Sequence, residues 1–134
     1  MEIIGKRRAK GSGQGADLGD CNGYFKRSKQ YGKADVYVSI AESCRNSLGW
    51  NAGSTHIALA RDGQDFAFVK VDKATGLVLR VSKRPNSKQG TRAVSMITGI
   101  DINETPLINS TNERLSFRGY KRENYVRVPF GSIS

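Results

Sequence analysis

The sequence predicts a mainly β fold, a small β-barrel with one or two short helices. Three observations predict it: short apolar segments that alternate with polar residues, glycine-containing turn signals between them, and a length of 134 residues, which suits one domain. Hydrophobic residues make up 37% of the chain, enough for one modest core. Residues 1–23 are expected to form a flexible basic arm, because glycine at their density opposes regular structure. Residues 24–134 are expected to form the single β-rich domain.

The first predicted elements are a strand and a short helix. Residues 35–40 read Asp-Val-Tyr-Val-Ser-Ile, so every second side chain is apolar, as in a half-buried strand. Ser39 and Glu42 match the spacing of a capping box, with Ser39 as the N-cap. The helix is then expected to run through Leu48 and to end at Gly49 in the left-handed conformation.

The rest of the domain is predicted as strands joined by tight turns, of which Asp62-Gly63 is the clearest hairpin signal. In order, we expect strands over 55–61, 65–71 and 77–81, a turn over 73–76, a strand or short helix over 93–102, a turn over 103–106, and a hairpin over 115–130. Residues 125–130 faintly echo residues 36–40, which leaves an internally duplicated barrel open.

Residues 36–71 also resemble a known family. Their strand, short helix ending in Leu-Gly, turn and hairpin are similar to the swapped-hairpin barrel of the SpoVT-AbrB superfamily. Members are typically dimeric or internally duplicated transcription regulators, so the resemblance implies duplex DNA binding and leaves a homodimer open. Arg45 matches a basic helix position of the family, and Arg61 and Lys70 lie on the hairpin, whereas Ser39 stands where the family commonly has proline. A helix-turn-helix is disfavoured, because residues 55–71 alternate like strands.

Positive charge is unevenly distributed along the chain. Lys and Arg number 22 against 12 acidic residues, for a net charge of +10. Residues 1–33 and 83–134 each carry an excess of five positive charges, whereas residues 34–82 carry five charges of each sign. Two basic segments therefore flank a neutral centre, a distribution that favours polyanionic partners.

Three basic segments are candidates for nucleic-acid contact, each with a solvated surface as its alternative. The first is the arm, whose glycines are not a phosphate loop because no Gly-Lys-Ser/Thr closes the run. The second interleaves Tyr24, Phe25 and Tyr31 with basic residues, as single-strand-binding surfaces do, although its aromatics could instead pack inward. The third is a basic loop over 80–92. The predicted contact residues are Lys6, Arg7, Arg8, Lys10, Lys26, Arg27, Lys29, Tyr31, Arg45, Arg80, Lys83, Arg84, Lys88 and Arg92.

No catalytic, metal or cofactor site is predicted. His56 is the single histidine of the chain, and the sequence identifies no group to orient it as a base. Cys44 falls on the apolar side of the predicted helix, where a thiol is usually inert, and it is expected to stay reduced together with Cys21. Two close aspartate pairs fall at turns, where aspartate is expected on conformational grounds alone. We therefore expect a protein that is not an enzyme.

The expected function is nucleic-acid binding, with double-stranded DNA favoured and a regulatory or coating role. Two alternatives remain open: a small inhibitor of the phage or mobile-element type that docks on an acidic host protein, and a module for single strands or RNA. No apolar stretch approaches the roughly 20 residues of a membrane span, and no apolar signal region follows the charged N-terminus. A cytoplasmic protein without a membrane partner is expected.

Overall fold

A computed structural model describes residues 20–81 and 92–134. Their strands form a nine-stranded antiparallel sheet that curls into a nearly closed barrel, so the predicted mainly β class is confirmed. The strands are β1 (Cys21–Arg27), β2 (Lys33–Ile40), β3 (His56–Asp62), β4 (Asp65–Val71), β5 (Leu77–Val78), β6 (Arg80–Val81), β7 (Ala93–Asp101), β8 (Arg114–Lys121) and β9 (Tyr125–Val128). The helices are α1 (Glu42–Leu48) and 3₁₀ turns at Ile102–Glu104, Pro106–Asn109 and Phe130–Ser132.

The barrel is brought close to closure by one short segment. Neighbouring strands follow the order β5-β3-β4-β9-β8-β1-β2-β7-β6, so β5 and β6 lie at the two ends of the sheet. These two strands are halves of one segment interrupted only at Leu79, and they pair with β3 and β7 respectively. The Leu79 N–H donates to the Thr55 carbonyl at 2.9 Å, and its side chain is fully buried. Residues 77–81 therefore link the two ends of the sheet.

The core is aromatic at its centre. Phe25 on β1 is fully buried, and its ring centroid lies 5.3 Å from that of Phe66 and 5.2 Å from that of Phe117. Phe68 continues the cluster, 5.8 Å from Phe117. Phe25 is thus a core residue, which excludes it from the predicted base-stacking set. The alternation of β1 decides this, because Cys21 and Phe25 face inward while Tyr24 faces outward.

Helix α1 forms where it was predicted, but its predicted N-cap is wrong. The N-cap residue is Ala41, which makes no side-chain capping bond. Ser39 belongs to β2, which continues through Ile40, so its hydroxyl lies too early in the chain to cap the first turn. The C-terminus matches the prediction, with Gly49 at φ 73° and the Trp50 N–H donating to the Arg45 carbonyl at 2.9 Å.

The segment predicted as a strand or a short helix is the strand β7. Ala93 and Ser95 are buried at alternate positions, as the inner side of a sheet requires. The register against β2 shifts between Ala34 and Val36, opposite Gly99, whose φ of 74° favours glycine. Within the described residues, no helix is both long enough and apolar enough to cross a membrane.

Candidate nucleic-acid interface

One outer side of the barrel combines aromatic and basic side chains. It is formed by β8, β1, β2 and β7, whose alternate residues face away from the core. We call this surface the aromatic face. Its members are Asn22, Tyr24 and Lys26 of β1, Asp35, Tyr37 and Ser39 of β2, Val94 and Met96 of β7, and Arg114, Ser116 and Arg118 of β8, together with the adjoining Arg80 and Arg92.

Two stacked tyrosines occupy the middle of the aromatic face. Tyr24 and Tyr37 are direct partners in the β1–β2 register, and their rings lie 5.2 Å apart at an angle of 11°. The guanidinium of Arg114 lies 4.4 Å from the centroid of Tyr24, a cation–π contact. Close approach of β1 and β2 accompanies this stack, since a Cβ on Gly23 would lie 1.9 Å from the Tyr37 carbonyl oxygen. Glycine at this position is therefore a steric requirement of the site.

Cations flank the tyrosine pair along the strands. Lys26 and Arg114 are register partners at one end of the pair. Arg118 lies toward the other end, together with two further cations, Arg80 and Arg92. Asp35 stands opposite Lys26. At the same end of the face, β2 and β7 also carry the outward ion pair of Lys33 and Asp101, which adds one charge of each sign. The five cations therefore exceed the unpaired carboxylate of Asp35 and give the aromatic face a positive potential.

Arg92 is held on this face by neutral acceptors. Its Nε donates to the Ser39 hydroxyl at 2.7 Å, and its Nη2 donates to the Asn22 side-chain oxygen at 2.9 Å. Burial lowers the pKa of Arg92, and among the described residues it forms no ion pair. Its buried Nη1 also lacks a hydrogen-bond partner there. Arginine keeps its charge in proteins, and no carboxylate among the described residues pairs with Arg92. Its positive charge is therefore not neutralised directly by these residues.

The structure brings only part of the predicted contact set together. Lys26, Arg80 and Arg92 belong to the aromatic face, as described above. Lys29 and Tyr31 lie at the β1–β2 turn, where Tyr31 is fully exposed beside a cleft of about 690 Å³. The predicted contacts Lys6, Arg7, Arg8, Lys10, Lys83, Arg84 and Lys88 lie outside the described residues.

Two predicted contact residues have other surroundings. Arg45 is 6% exposed, so the one helix residue carried over from the superfamily resemblance does not project into solvent. Arg27 occupies an inward-facing position of β1, and its guanidinium donates hydrogen bonds to the carbonyls of Leu107, Ser110 and Asn112. Arg27 therefore connects β1 to the segment before β8, whereas Arg45 is buried within the domain.

Among the aromatic and basic members of the face, sequence reasoning missed three: Tyr37, Arg114 and Arg118. The sequence pattern could have indicated Tyr37, since it is an aromatic residue at an outward, otherwise polar position of an alternating strand. Arg114 and Arg118 carried no local signal. They join the site only because β8 pairs with β1, which lies about ninety residues earlier in the chain.

Two of the groups weighed as catalytic or metal-binding, Cys44 and Asp65, have defined surroundings in the structure. Burial raises the pKa of Cys21, and it raises the pKa of Cys44 to about 11, so both thiols stay protonated at neutral pH. Asp65 accepts hydrogen bonds from the Phe130 N–H and from Arg127, which lower its pKa. Across residues 20–81 and 92–134, no three His, Cys, Asp or Glu side chains are grouped as a metal site would need.

Comparison with protein-family models, with curated proteins and with solved structures finds no match for this chain.

Proposed function

We propose that this protein binds nucleic acid through the aromatic face. The observation that carries the proposal is the stacked pair of Tyr24 and Tyr37, set among five cations on one side of the barrel. Cations attract phosphates, and aromatic rings offer contact surface to bases and sugars, so this combination suits a nucleic acid better than an unstructured polyanion.

The spacing of the cations supports contact with several phosphates. Arg114 and Arg118 are four residues apart on β8, which corresponds to roughly 13 Å along a strand. Phosphates follow each other every 3.4 Å along the axis of one strand of B-form DNA, so this span covers about four of them. The phosphate-binding part of the proposal applies to duplexes and to single strands, and it suits a coating or a regulatory role equally.

The first test is fluorescence anisotropy with labelled single-stranded DNA, duplex DNA and RNA of equal length, titrated at several salt concentrations. We expect sub-micromolar binding at low salt. Five phosphate contacts would give a slope of log affinity against log salt of roughly −3.5 on single strands and −4.5 on a duplex. Between 50 and 200 mM salt, affinity should therefore fall by about 100-fold or more.

A matched pair of variants separates this face from the overall charge of the chain. The double variant Lys26→Ser/Arg114→Ser removes two charges from the aromatic face. The control Lys70→Ser/Lys73→Ser removes the same charge from β4 and the turn that follows it, and β4 lies three strands from β1. We expect a large loss of affinity only in the first variant.

Two outcomes would contradict the proposal. Equal losses in both double variants would show that net charge, and not this face, drives binding. Failure of the unmodified protein to bind any of the three ligands at 50 mM salt would reject nucleic acid as the partner and direct the search to acidic proteins.

A further inference from the structure

We infer that the aromatic face takes an unpaired base on Tyr37, so that its ligand is single-stranded DNA or RNA; this inference rests on the proposed function. Across the sheet, the outward groups follow the order Arg114, Tyr24, Tyr37, Met96. Tyr24 is covered on one side by the guanidinium of Arg114 and on the other by the ring of Tyr37. Tyr37 is the last ring of this series, and its outer side faces Met96.

The offset between the two rings leaves part of Tyr37 uncovered. Their centroids are 5.2 Å apart and their planes nearly parallel. Planes in van der Waals contact are separated by about 3.5 Å, so the rings must be displaced sideways by roughly 4 Å. On the outer side, Met96 is 43% exposed, and its flexible thioether side chain can move aside or pack against an incoming base.

A duplex cannot use this surface in the same way. Its bases are stacked on one another, so a ring that projects from a sheet reaches only sugars and phosphates unless an element enters a groove. Among the described residues, the one α-helix is the seven-residue α1, and the basic side chain of Arg45 within it is buried. The stacking surface is therefore useful chiefly to bases that are already unpaired.

The cations of the face suit this ligand. Lys26 lies beyond one end of the tyrosine pair and Arg118 beyond the other, while the guanidinium of Arg114 lies over Tyr24 itself. A single strand running along β1 would thus meet positive charge before and after the base on Tyr37. The fully exposed Tyr31, at the end of the same hairpin, offers a second ring farther along that path.

The test uses three labelled ligands of equal length with the full chain: a (dT)15 strand, an abasic strand with the same phosphates, and a duplex. Tyr37→Leu removes the ring and keeps an apolar side chain, whereas Tyr37→Phe keeps the ring. Tyr125→Leu is the control, because Tyr125 lies on β9, where it pairs with β4, and β9 is three strands from β2.

We expect Tyr37→Leu to bind (dT)15 roughly 5- to 150-fold more weakly and the abasic strand unchanged. Tyr37→Phe and Tyr125→Leu should bind both strands like the unmodified protein, which should itself prefer (dT)15 to the duplex. Photo-crosslinking of the unmodified protein to a strand containing 5-iodouracil should label the peptide that contains Tyr37. This second measurement needs no variant and so does not depend on the folding of Tyr37→Leu.

The failures of the two proposals are distinguishable. If (dT)15 and the abasic strand bind equally and Tyr37→Leu loses nothing, or if crosslinks fall only outside β1, β2 and β7, the stacking inference is overturned while the phosphate-binding face stands. If the unmodified protein binds none of the three ligands, the proposed function itself fails.

Discussion

Replacing Asp35 by asparagine should strengthen nucleic-acid binding. Asp35 is a carboxylate of the aromatic face whose register partner on β1 is Lys26, whereas Asp101 of β7 is already paired with Lys33. Directly opposed side chains on neighbouring strands have Cβ atoms about 4.5–5.5 Å apart, well inside the screening length at 0.1 M salt. The carboxylate therefore weakens the attraction of Lys26 for a phosphate, and asparagine removes that effect at nearly constant volume.

The size of the effect follows from counterion release. Removing the Asp35 charge raises the net charge of the face by one; if this is equivalent to about one additional phosphate contact, the salt slope on a single strand becomes steeper by roughly 0.7. Affinity then rises by about fivefold at 0.1 M salt and by about twofold at 0.3 M, and the gain vanishes near 1 M. A gain is more informative than a loss here, because partial unfolding cannot produce it.

The assay is anisotropy with a labelled single strand at four salt concentrations. Asp62→Asn, which makes the same charge change at the β3–β4 turn, is the matched control. Lys26→Gln should change affinity by a similar factor in the opposite direction. An unchanged affinity of Asp35→Asn at 0.1 M salt, or an equal gain in Asp62→Asn, would refute the argument that Asp35 acts locally on this face.

Three further predictions concern stability and thiol chemistry. Gly23→Ala should lower the free energy of unfolding by about 1–3 kcal/mol or more, since the new Cβ would lie 1.9 Å from the Tyr37 carbonyl oxygen; a urea midpoint like that of the unmodified chain would contradict this. Leu79→Ala should cost about 2–5 kcal/mol in the same assay, because it empties a fully buried site in the segment that links the sheet ends; a cost below about 1 kcal/mol would show that this contact is dispensable. Cys44, with a pKa of about 11, should react slowly with a disulfide reagent at pH 8 and about tenfold faster per pH unit as pH rises toward 11, whereas immediate labelling at pH 8 would show that the thiol is accessible and ionised.

The elements that the sequence predicted well are those governed by neighbouring residues. The alternation in residues 35–40 and 65–71 predicted β2 and β4, because a side chain on every second position must meet the core. Gly49 predicted the end of α1, because a left-handed residue favours glycine. The capping prediction at Ser39 was wrong because a capping box is a local motif. The position at which β2 ends is decided by its pairing with β1 and β7, which continues through Ile40.

The roles of individual arginines could not be predicted from their position in the chain. Arg45, Arg27 and Arg92 were all expected to contact a ligand, yet only Arg92 belongs to the aromatic face. Arg45 is buried, and Arg27 binds carbonyls some eighty residues away. The sequence shows a basic residue, whereas the direction of its side chain depends on the inner or outer phase of its strand and on partners distant in the chain.

The sequence by itself determined the β class, most strand positions and the large positive charge, because these depend on composition and on residues close together in the chain. The tertiary structure decided where that charge and the aromatic rings meet. Tyr24, Tyr37 and Arg114 become one site only when β1 pairs with β2 on one side and with β8 on the other. The pairing of β1 with β8 joins residues about ninety positions apart. The register of such a pair is selected by the burial of the whole core, which no local sequence pattern shows.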